Sequence, residues 1–226
     1  MEYRNIKPAI FLSRMNRFVA NIEINGRTEI CHVKNTGRLK ELLVPGARVF
    51  VQESANSSRR TKYDLISVYK GKRLVNIDSQ VPNKVFHEWI SDNDIFGDIV
   101  LIKPEYTYKD SRFDFYMETA DRKIYIEVKG VTLEENGAAL FPDAPTERGI
   151  KHIKGLCRSV KEGYEAYIIF IIQMKDVLYF TPNAKTHKAF ADALVNAKNQ
   201  GVEILALDCL VTENSIRANN FVDVRL

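Results

Sequence analysis

The chain has 226 residues, of which 45% are hydrophobic, enough to bury the core of one large domain or two small ones. Its longest apolar run, Ala166 to Ile172, is far shorter than the roughly 20 residues of a membrane helix, and its first residues lack the apolar region of a signal peptide. The formal net charge of +4 is unevenly divided, with +8 in residues 1 to 80 and −4 in residues 81 to 226.

These properties predict a soluble cytoplasmic protein without a membrane partner. The three cysteines are widely spaced and odd in number, which argues against a disulfide framework or a zinc site. The basic first third favours contact with a polyanion, whereas the acidic remainder is suited to metal-assisted chemistry, although a chance fluctuation of surface charge gives the same asymmetry.

The first third of the chain has the pattern of a small β-barrel. Asn25-Gly26 is a strong hairpin signal, because both central residues of a type I′ turn need positive φ. Short strands and basic residues favour an OB-like barrel in residues 1 to 80, with an SH3-like barrel as the alternative. The predicted strands are Ala9 to Leu12, Phe18 to Ile24, Thr28 to Val33, Arg48 to Glu53, Asp64 to Tyr69 and Arg73 to Ile77.

From residue 81 to 226 the pattern changes to that of an α/β domain with a mixed sheet. The apolar run at Ala166 to Ile172 does not alternate, which is typical of a strand buried on both faces. The predicted helices are Pro82 to Ile90, Glu147 to Lys161 and Lys185 to Asn199; the other predicted strands are Ile99 to Tyr106, Arg112 to Glu118, Lys123 to Lys129, Leu178 to Thr181 and Val202 to Leu207.

Two of these strands carry residues suited to phosphodiester hydrolysis. Strand alternation places Glu127 and Lys129 on one face and predicts Asp114 beside them, with Phe113, Phe115 and Met117 on the opposite side. Two carboxylates can bind Mg²⁺ or Mn²⁺, the Val128 carbonyl can add a ligand, and the ammonium can stabilise developing charge. An exposed cross-strand Glu-Lys pair without catalytic function is the alternative.

The helix predicted from Glu147 offers a second feature, with Thr146 as its N-cap. At 100° per residue, Ile150, Ile153, Cys157 and Val160 share one face, and Arg148, Lys151 and His152 lie opposite. A basic face at a helix N-terminus is suited to a phosphate, although a solvated charged face is the common alternative.

The stretch from Phe141 to His152, together with Ser111 to Phe115 and Glu127 to Leu133, closely resembles the sugar fermentation stimulation protein family. The resemblance spans the chain and implies an OB-like domain, a PD-(D/E)xK nuclease-like domain, DNA binding and a link to maltose use. It also implies catalytic roles for Asp114, Glu127 and Lys129, with Glu88 as the helix glutamate of the site. Residues 32 to 39 depart from the family pattern, but Lys34 and Arg38 favour a phosphate-facing loop.

The sequence therefore predicts a DNA-binding protein, with single-stranded DNA as one candidate ligand and a divalent-metal nuclease site. A DNA-binding regulator with little cleavage and a carbohydrate-active enzyme are the rival hypotheses, and homo-oligomerisation stays open. The residues predicted to contact nucleic acid are Arg14, Arg17, Phe18, His32, Lys34, Asn35, Thr36, Arg38, Thr146, Arg148, Lys151 and His152.

Overall fold

The computed structural model describes residues 1–56 and 58–226, and its first domain is a closed five-strand barrel of OB-like type. Antiparallel pairs give the order β3-β2-β1-β4-β5, and a parallel pairing of β3 with β5 closes it. Asn25 and Gly26 both have positive φ, as the predicted hairpin requires. The strands are β1 (Ile6–Arg14), β2 (Val19–Ile24), β3 (Arg27–Val33), β4 (Arg48–Glu53), β5 (Tyr63–Lys70) and a short β6 (Arg73–Asn76) that pairs with β5.

The second domain is built on a six-stranded mixed sheet and follows the predicted α/β pattern. The strand order is β15-β14-β12-β9-β8-β7, with β9, β12 and β14 parallel and the edge strands antiparallel. A small sheet of β10, β11 and β13 lies outside it. The elements are α1 (Pro82–Ser91), β7 (Leu101–Tyr108), β8 (Ser111–Glu118), β9 (Lys123–Val131), β10 (Leu133–Glu135), β11 (Ala138–Phe141), α2 (Glu147–Lys161), β12 (Glu165–Ile172), β13 (Tyr179–Pro182), α3 (Ala184–Asn199), β14 (Glu203–Val211) and β15 (Ile216–Phe221).

Helices cover both faces of the large sheet. The apolar side of α1 packs with Ile124, Ile126 and Val128 of β9, while α2 packs on the opposite face with Tyr125. From Ile168 to Ile172 strand β12 is buried, as its continuous apolar run predicts. Within the described residues, no helix combines the length and apolarity needed to cross a bilayer.

The two domains meet along a seam of hydrogen bonds and ion pairs. Glu134, which is buried, binds Lys70 at 2.8 Å and Arg73 at 2.9 Å. Asn76 accepts a 3.0 Å hydrogen bond from Gln173. The first residues, assigned from sequence to the barrel domain, lie instead against the second domain: the Met1 carbonyl accepts from the Ile216 amide at 3.0 Å.

Candidate active site

Strands β8 and β9 separate at the point where the predicted carboxylates stand. Their antiparallel pairing begins at Glu118 and Lys123 and ends at Phe115 and Ile126. The next residues are Asp114 and Glu127. The Val128 amide donates a 2.8 Å hydrogen bond to Asp114 Oδ2. The carboxylate thus takes the place of a ladder partner and holds the gap between the strands open.

The side-chain alternation of β8 breaks at Asp114, which corrects one prediction. Phe113 packs under α2, with its ring 5.3 Å from that of Tyr125, whereas Phe115 packs under α1, 5.3 Å from Phe86. Residues two apart on a regular strand share a face. The predicted common side for Phe113, Phe115 and Met117 is therefore wrong. Asp114 lies at the position where the side-chain alternation of β8 reverses.

Asp114 is a half-buried carboxylate with its oxygens held from two directions. Asn83, in the first turn of α1, donates to Oδ1 at 2.8 Å, and the Val128 amide binds Oδ2. Burial, and after it the charge of Glu127, raises the pKa of Asp114 above its ordinary value of 3.8. The two carboxylates therefore repel each other, which is the condition that a bridging cation relieves.

Glu127 is 2% exposed, and its two oxygens have different surroundings. Oε1 binds both the Lys129 ammonium and Nδ1 of His152. Burial by itself raises the pKa of Glu127, but His152 and Lys129 outweigh it and hold that pKa below its usual value. Oε2 is buried and has no hydrogen-bond partner within residues 1–56 and 58–226.

His152 was predicted on the solvent face of α2 and lies on its buried face. It is 7% exposed, and with Nδ1 donating to Glu127 its Nε2 can accept from Arg148 Nε, 3.5 Å away. Arg148 and Lys151 are exposed, and Lys151 lies 3.6 Å from Asp110. Helix α2 has its predicted bounds, and its N-cap Thr146 accepts from the Gly149 amide at 3.0 Å.

Glu88 was predicted to reach the carboxylate cluster, and the structure places it elsewhere. Its carboxylate forms an ion pair with the Met1 amino group, beside Trp89 and Asn219. Asn83, on the same helix, donates a hydrogen bond to Asp114 instead. Sequence reasoning from helix phase considered the charged Glu88 and missed Asn83, an uncharged residue in the first turn of the same helix.

The donor set fits a hard divalent cation. Asp114 and Glu127 supply carboxylate oxygens, and the orphaned Oε2 of Glu127 is the buried atom that such an ion would satisfy. The Val128 amide donates to Asp114 Oδ2, and the Val128 carbonyl stays a predicted ligand of the cation. Within the described chain no group of three or more His, Cys, Asp or Glu side chains is arranged as a metal cage, so water would complete the coordination.

Several residues predicted to contact nucleic acid have structural roles in the barrel. The Arg14 guanidinium donates to four carbonyls, those of Arg17, Asn35, Gly37 and Arg38, at 2.6 to 2.9 Å, and so fixes the loop that contains them. His32 and Lys34 lie against the buried carboxylate of Asp64, at 3.1 and 3.4 Å. These contacts hold Arg14, His32 and Lys34 within the fold, and their contact with phosphates stays a prediction. Asn35 is likewise bonded within the fold, to the Ile77 carbonyl and the Gly37 amide.

Other members of the predicted set are exposed at the same end of the barrel. Arg17, Thr36 and Arg38 are exposed, and Phe18 is 50% exposed. Because Arg14 joins the β1–β2 turn to the loop of residues 35–38, these side chains form one surface, the barrel tip (Met15, Arg17, Phe18, Thr36 and Arg38). A basic surface with an exposed ring is suited to a nucleic-acid backbone and its bases.

Comparisons with known proteins agree with this architecture. The family model described as "SfsA N-terminal OB domain" matches residues 12–77, and that described as "Sugar fermentation stimulation protein RE domain" matches residues 80–215. Sugar fermentation stimulation protein homologs of Desulfitobacterium hafniense and Ruminiclostridium cellulolyticum are 63% and 61% identical over 226 residues, covering all of this chain and 99% and 100% of theirs. The solved structure of Pyrococcus furiosus SfsA in complex with Ca²⁺ has a TM-score of 0.91 and 32% identity, covering 100% of this chain and 98% of that one. The chain belongs to the sugar fermentation stimulation protein family.

Proposed function

We propose that this protein binds DNA and hydrolyses phosphodiester bonds with Mg²⁺ or Mn²⁺ at Asp114, Glu127 and Lys129. The observation that carries the proposal is the parting of β8 and β9 at Asp114 and Glu127, beside Lys129, with Glu127 Oε2 left without a partner in the described structure. The relative from Pyrococcus furiosus was solved with Ca²⁺, a hard cation that oxygen ligands also prefer.

Asp114, Glu127 and the Val128 carbonyl would hold the cation, which when bound lowers the pKa of a water molecule and polarises the phosphoryl oxygen. Lys129 is the residue that we assign to charge stabilisation, because its side chain is 20% exposed and its ammonium lies beside Glu127. His152 holds Glu127 from the side of α2 and fixes the orientation of its carboxylate. Asn83 and the Val128 amide do the same for Asp114.

The barrel tip and the exposed Arg148 and Lys151 would bind the DNA backbone. Residues 1 to 80 carry a charge of +8, whereas the carboxylates are concentrated beyond residue 80. Positive charge on the barrel would therefore attract the polyanion, and the cation would allow a phosphate to approach the acidic site. Phe18 is available for stacking, which makes single-stranded DNA a candidate ligand.

The second candidate function is a DNA-binding regulator of sugar metabolism that cleaves little. The family name favours it, and so does the engagement of Glu127 Oε1 by both Lys129 and His152, which leaves a single oxygen for a metal. A metal-independent carbohydrate hydrolase is disfavoured, because Lys129 pairs directly with one of the two carboxylates that such an enzyme would use.

The two functions are separated by incubating purified protein with labelled single- and double-stranded DNA and RNA in Mg²⁺, Mn²⁺ or EDTA. We expect metal-dependent cleavage that is lost in Asp114→Asn and retained in Glu88→Gln, whose carboxylate pairs with Met1. Binding without cleavage in both Mg²⁺ and Mn²⁺ would contradict the nuclease and favour the DNA-binding regulator. Cleavage that Asp114→Asn retains would assign the activity to a contaminant.

A further inference from the structure

A cleft of about 310 Å³ lies between the barrel and the second domain. One wall is the barrel loop at Asn35 to Gly37, and the other is the segment from Phe141 to Thr146 that leads into α2. Its floor includes Gly130 and Gln173. Gly37 permits the close approach of the two walls, since a Cβ there would lie 2.5 Å from Asp143 Oδ2.

The cleft adjoins the candidate active site along β9. Gly130 directly follows Lys129 and lies three positions after Glu127 on the same strand, about 10 Å at 3.3 Å per residue. Helix α2 connects the parallel strands β9 and β12, so its N-terminus, with Thr146, lies near the same end of β9. A ligand could therefore extend from the carboxylates into the cleft.

The lining of the cleft does not suit a phosphate. Among the described residues that line it there is no Lys or Arg, and Asp143 contributes a carboxylate whose Oδ2 accepts from the Arg38 amide at 3.0 Å. The remaining polar lining consists of hydroxyl and amide groups. Such a cleft is suited to a neutral group that forms hydrogen bonds between apolar walls.

Gln173 supplies a fixed hydrogen-bond acceptor at the floor. Its side chain is 1% exposed, and its Nε2 donates to Asn76 Oδ1 at 3.0 Å and to the Asp78 carbonyl at 3.1 Å, which sets the orientation of the amide. In the described part of the chain, Oε1 has no protein hydrogen-bond donor, and a Cβ on Gly130 would lie 2.6 Å from it. Both Gly130 and Gln173 line the cleft, and the absence of a side chain at Gly130 leaves room for Oε1 beside it.

We propose that this cleft binds one unstacked nucleobase with its sugar, from a nucleotide next to the phosphate at the Asp114 and Glu127 site. This inference rests on the proposed function. The volume lies near the lower limit of roughly 300 Å³ for ligand pockets, which suits a single nucleoside and not a duplex. Every unpaired base has an N–H group on its pairing edge that can donate to Gln173 Oε1. The substrate must therefore present an unpaired nucleotide, or release one from the stack.

The test compares two short DNA duplexes, identical except for one central unpaired nucleotide in the second, by fluorescence anisotropy in EDTA. Thr36→Phe introduces a ring at the mouth of the cleft, and Thr28→Phe makes the same change at an exposed position on β3. Thr132→Val removes a lining hydroxyl with almost no change in shape. Thermal melting of each variant reports whether the fold is intact.

We expect the wild type to prefer the duplex with the unpaired nucleotide by on the order of tenfold or more, because unpairing a base costs a few kcal/mol in the other duplex. Thr28→Phe should keep the preference, Thr36→Phe should abolish it, and Thr132→Val should reduce it. Equal affinities in the wild type, or a preference that Thr36→Phe retains, would overturn the cleft proposal while DNA binding stands. Wild-type protein that binds neither duplex, whether in EDTA or in Ca²⁺, would overturn the proposed function and this inference together. Maltose binding that Thr36→Phe abolishes would assign the cleft to a sugar and refute it.

Discussion

Replacement of Glu127 by glutamine tests the metal site most directly, because the side chain keeps its shape and loses its charge. In the wild type, Glu127 is 2% exposed and its Oε2 has no partner in the described structure. An unsatisfied buried polar atom costs about 1–3 kcal/mol, which a bound cation would recover. At a cation concentration 100-fold above Kd, we expect about 2.7 kcal/mol of stabilisation. For a chain of this length that corresponds to a rise in Tm of roughly 5 to 11 °C.

Glu127→Gln should abolish this response and leave the protein folded. Without metal, two effects oppose each other: Lys129 and His152 lose a charged acceptor, worth about 1.5–3 kcal/mol, while Asp114 loses the neighbouring charge that raises its pKa. We therefore expect the variant to differ from the wild type by less than about 2 kcal/mol in EDTA. Thermal melts in Mn²⁺ and EDTA, with calorimetric titration of Mn²⁺, measure both quantities.

Glu165→Gln is the matched control, because Glu165 lies on the neighbouring strand β12 and pairs with Arg122 outside the site. It should show the full wild-type shift in Mn²⁺. If Glu127→Gln also keeps that shift, or if the wild type shows none at any Mn²⁺ concentration, Glu127 is not a ligand and its orphaned oxygen has another explanation.

Four further substitutions separate the remaining roles. Lys129→Ala should bind Mn²⁺ as the wild type does in calorimetry, because an ammonium is not a ligand, while cleavage rates fall on the order of 10²-fold. Arg38→Ala should reduce the slope of log K for DNA against log salt by roughly 0.7 to 0.9 without loss of stability. Arg14→Ala, which removes four hydrogen bonds to carbonyls, should lower the free energy of unfolding by about 2 kcal/mol, and an unchanged melting curve would contradict that role. Asp64→Asn should cost about 3 kcal/mol, because a buried carboxylate loses its bidentate pair with Arg59. Burial raises the pKa of Asp64, but Arg59 and the other partners of the carboxylate outweigh burial and hold that pKa below 3.8. The stabilisation from the ionised carboxylate is therefore present above pH 3.8 and is lost as pH falls through the folded pKa. In acid-unfolding titrations, the difference in stability between the wild type and Asp64→Asn should shrink over that range.

Local signals in the sequence were sufficient for the elements that position the site. The 3.6-residue period and the Thr146 cap predicted α2 with its observed bounds, since both depend on residues within one helix. Alternation predicted the facing of β9, with Ile124, Ile126 and Val128 on one side and Glu127 on the other. These features need no knowledge of the neighbouring element.

The face of α2 could not be predicted because its buried side carries glycines, which give no hydropathy signal. Gly155 lets the helix approach β8 so closely that a Cβ would lie 2.9 Å from Ser111 Oγ. With this close approach His152 lies on the buried side, beside Glu127, whereas the apolar face of Ile150, Ile153, Cys157 and Val160 predicted it on the opposite side. The reversal of β8 at Asp114 has a similar origin, since it depends on the separation of two strands and not on the composition of either one.

The positive charge of the barrel and the carboxylates of the second domain have complementary roles in the proposed function. The barrel tip presents Arg17 and Arg38 to solvent, whereas Asp114 and Glu127 are buried between strands at the other side of the domain junction. A protein that only held DNA would gain nothing from a pair of carboxylates that repel each other and the phosphate. With a divalent cation between them, the same pair would attract a phosphate of DNA held by the proposed binding surface of the barrel. Burial, and after it the charge of Glu127, raises the pKa of Asp114, and a divalent cation at the proposed site would offset both effects, which is why we propose the enzyme before the regulator.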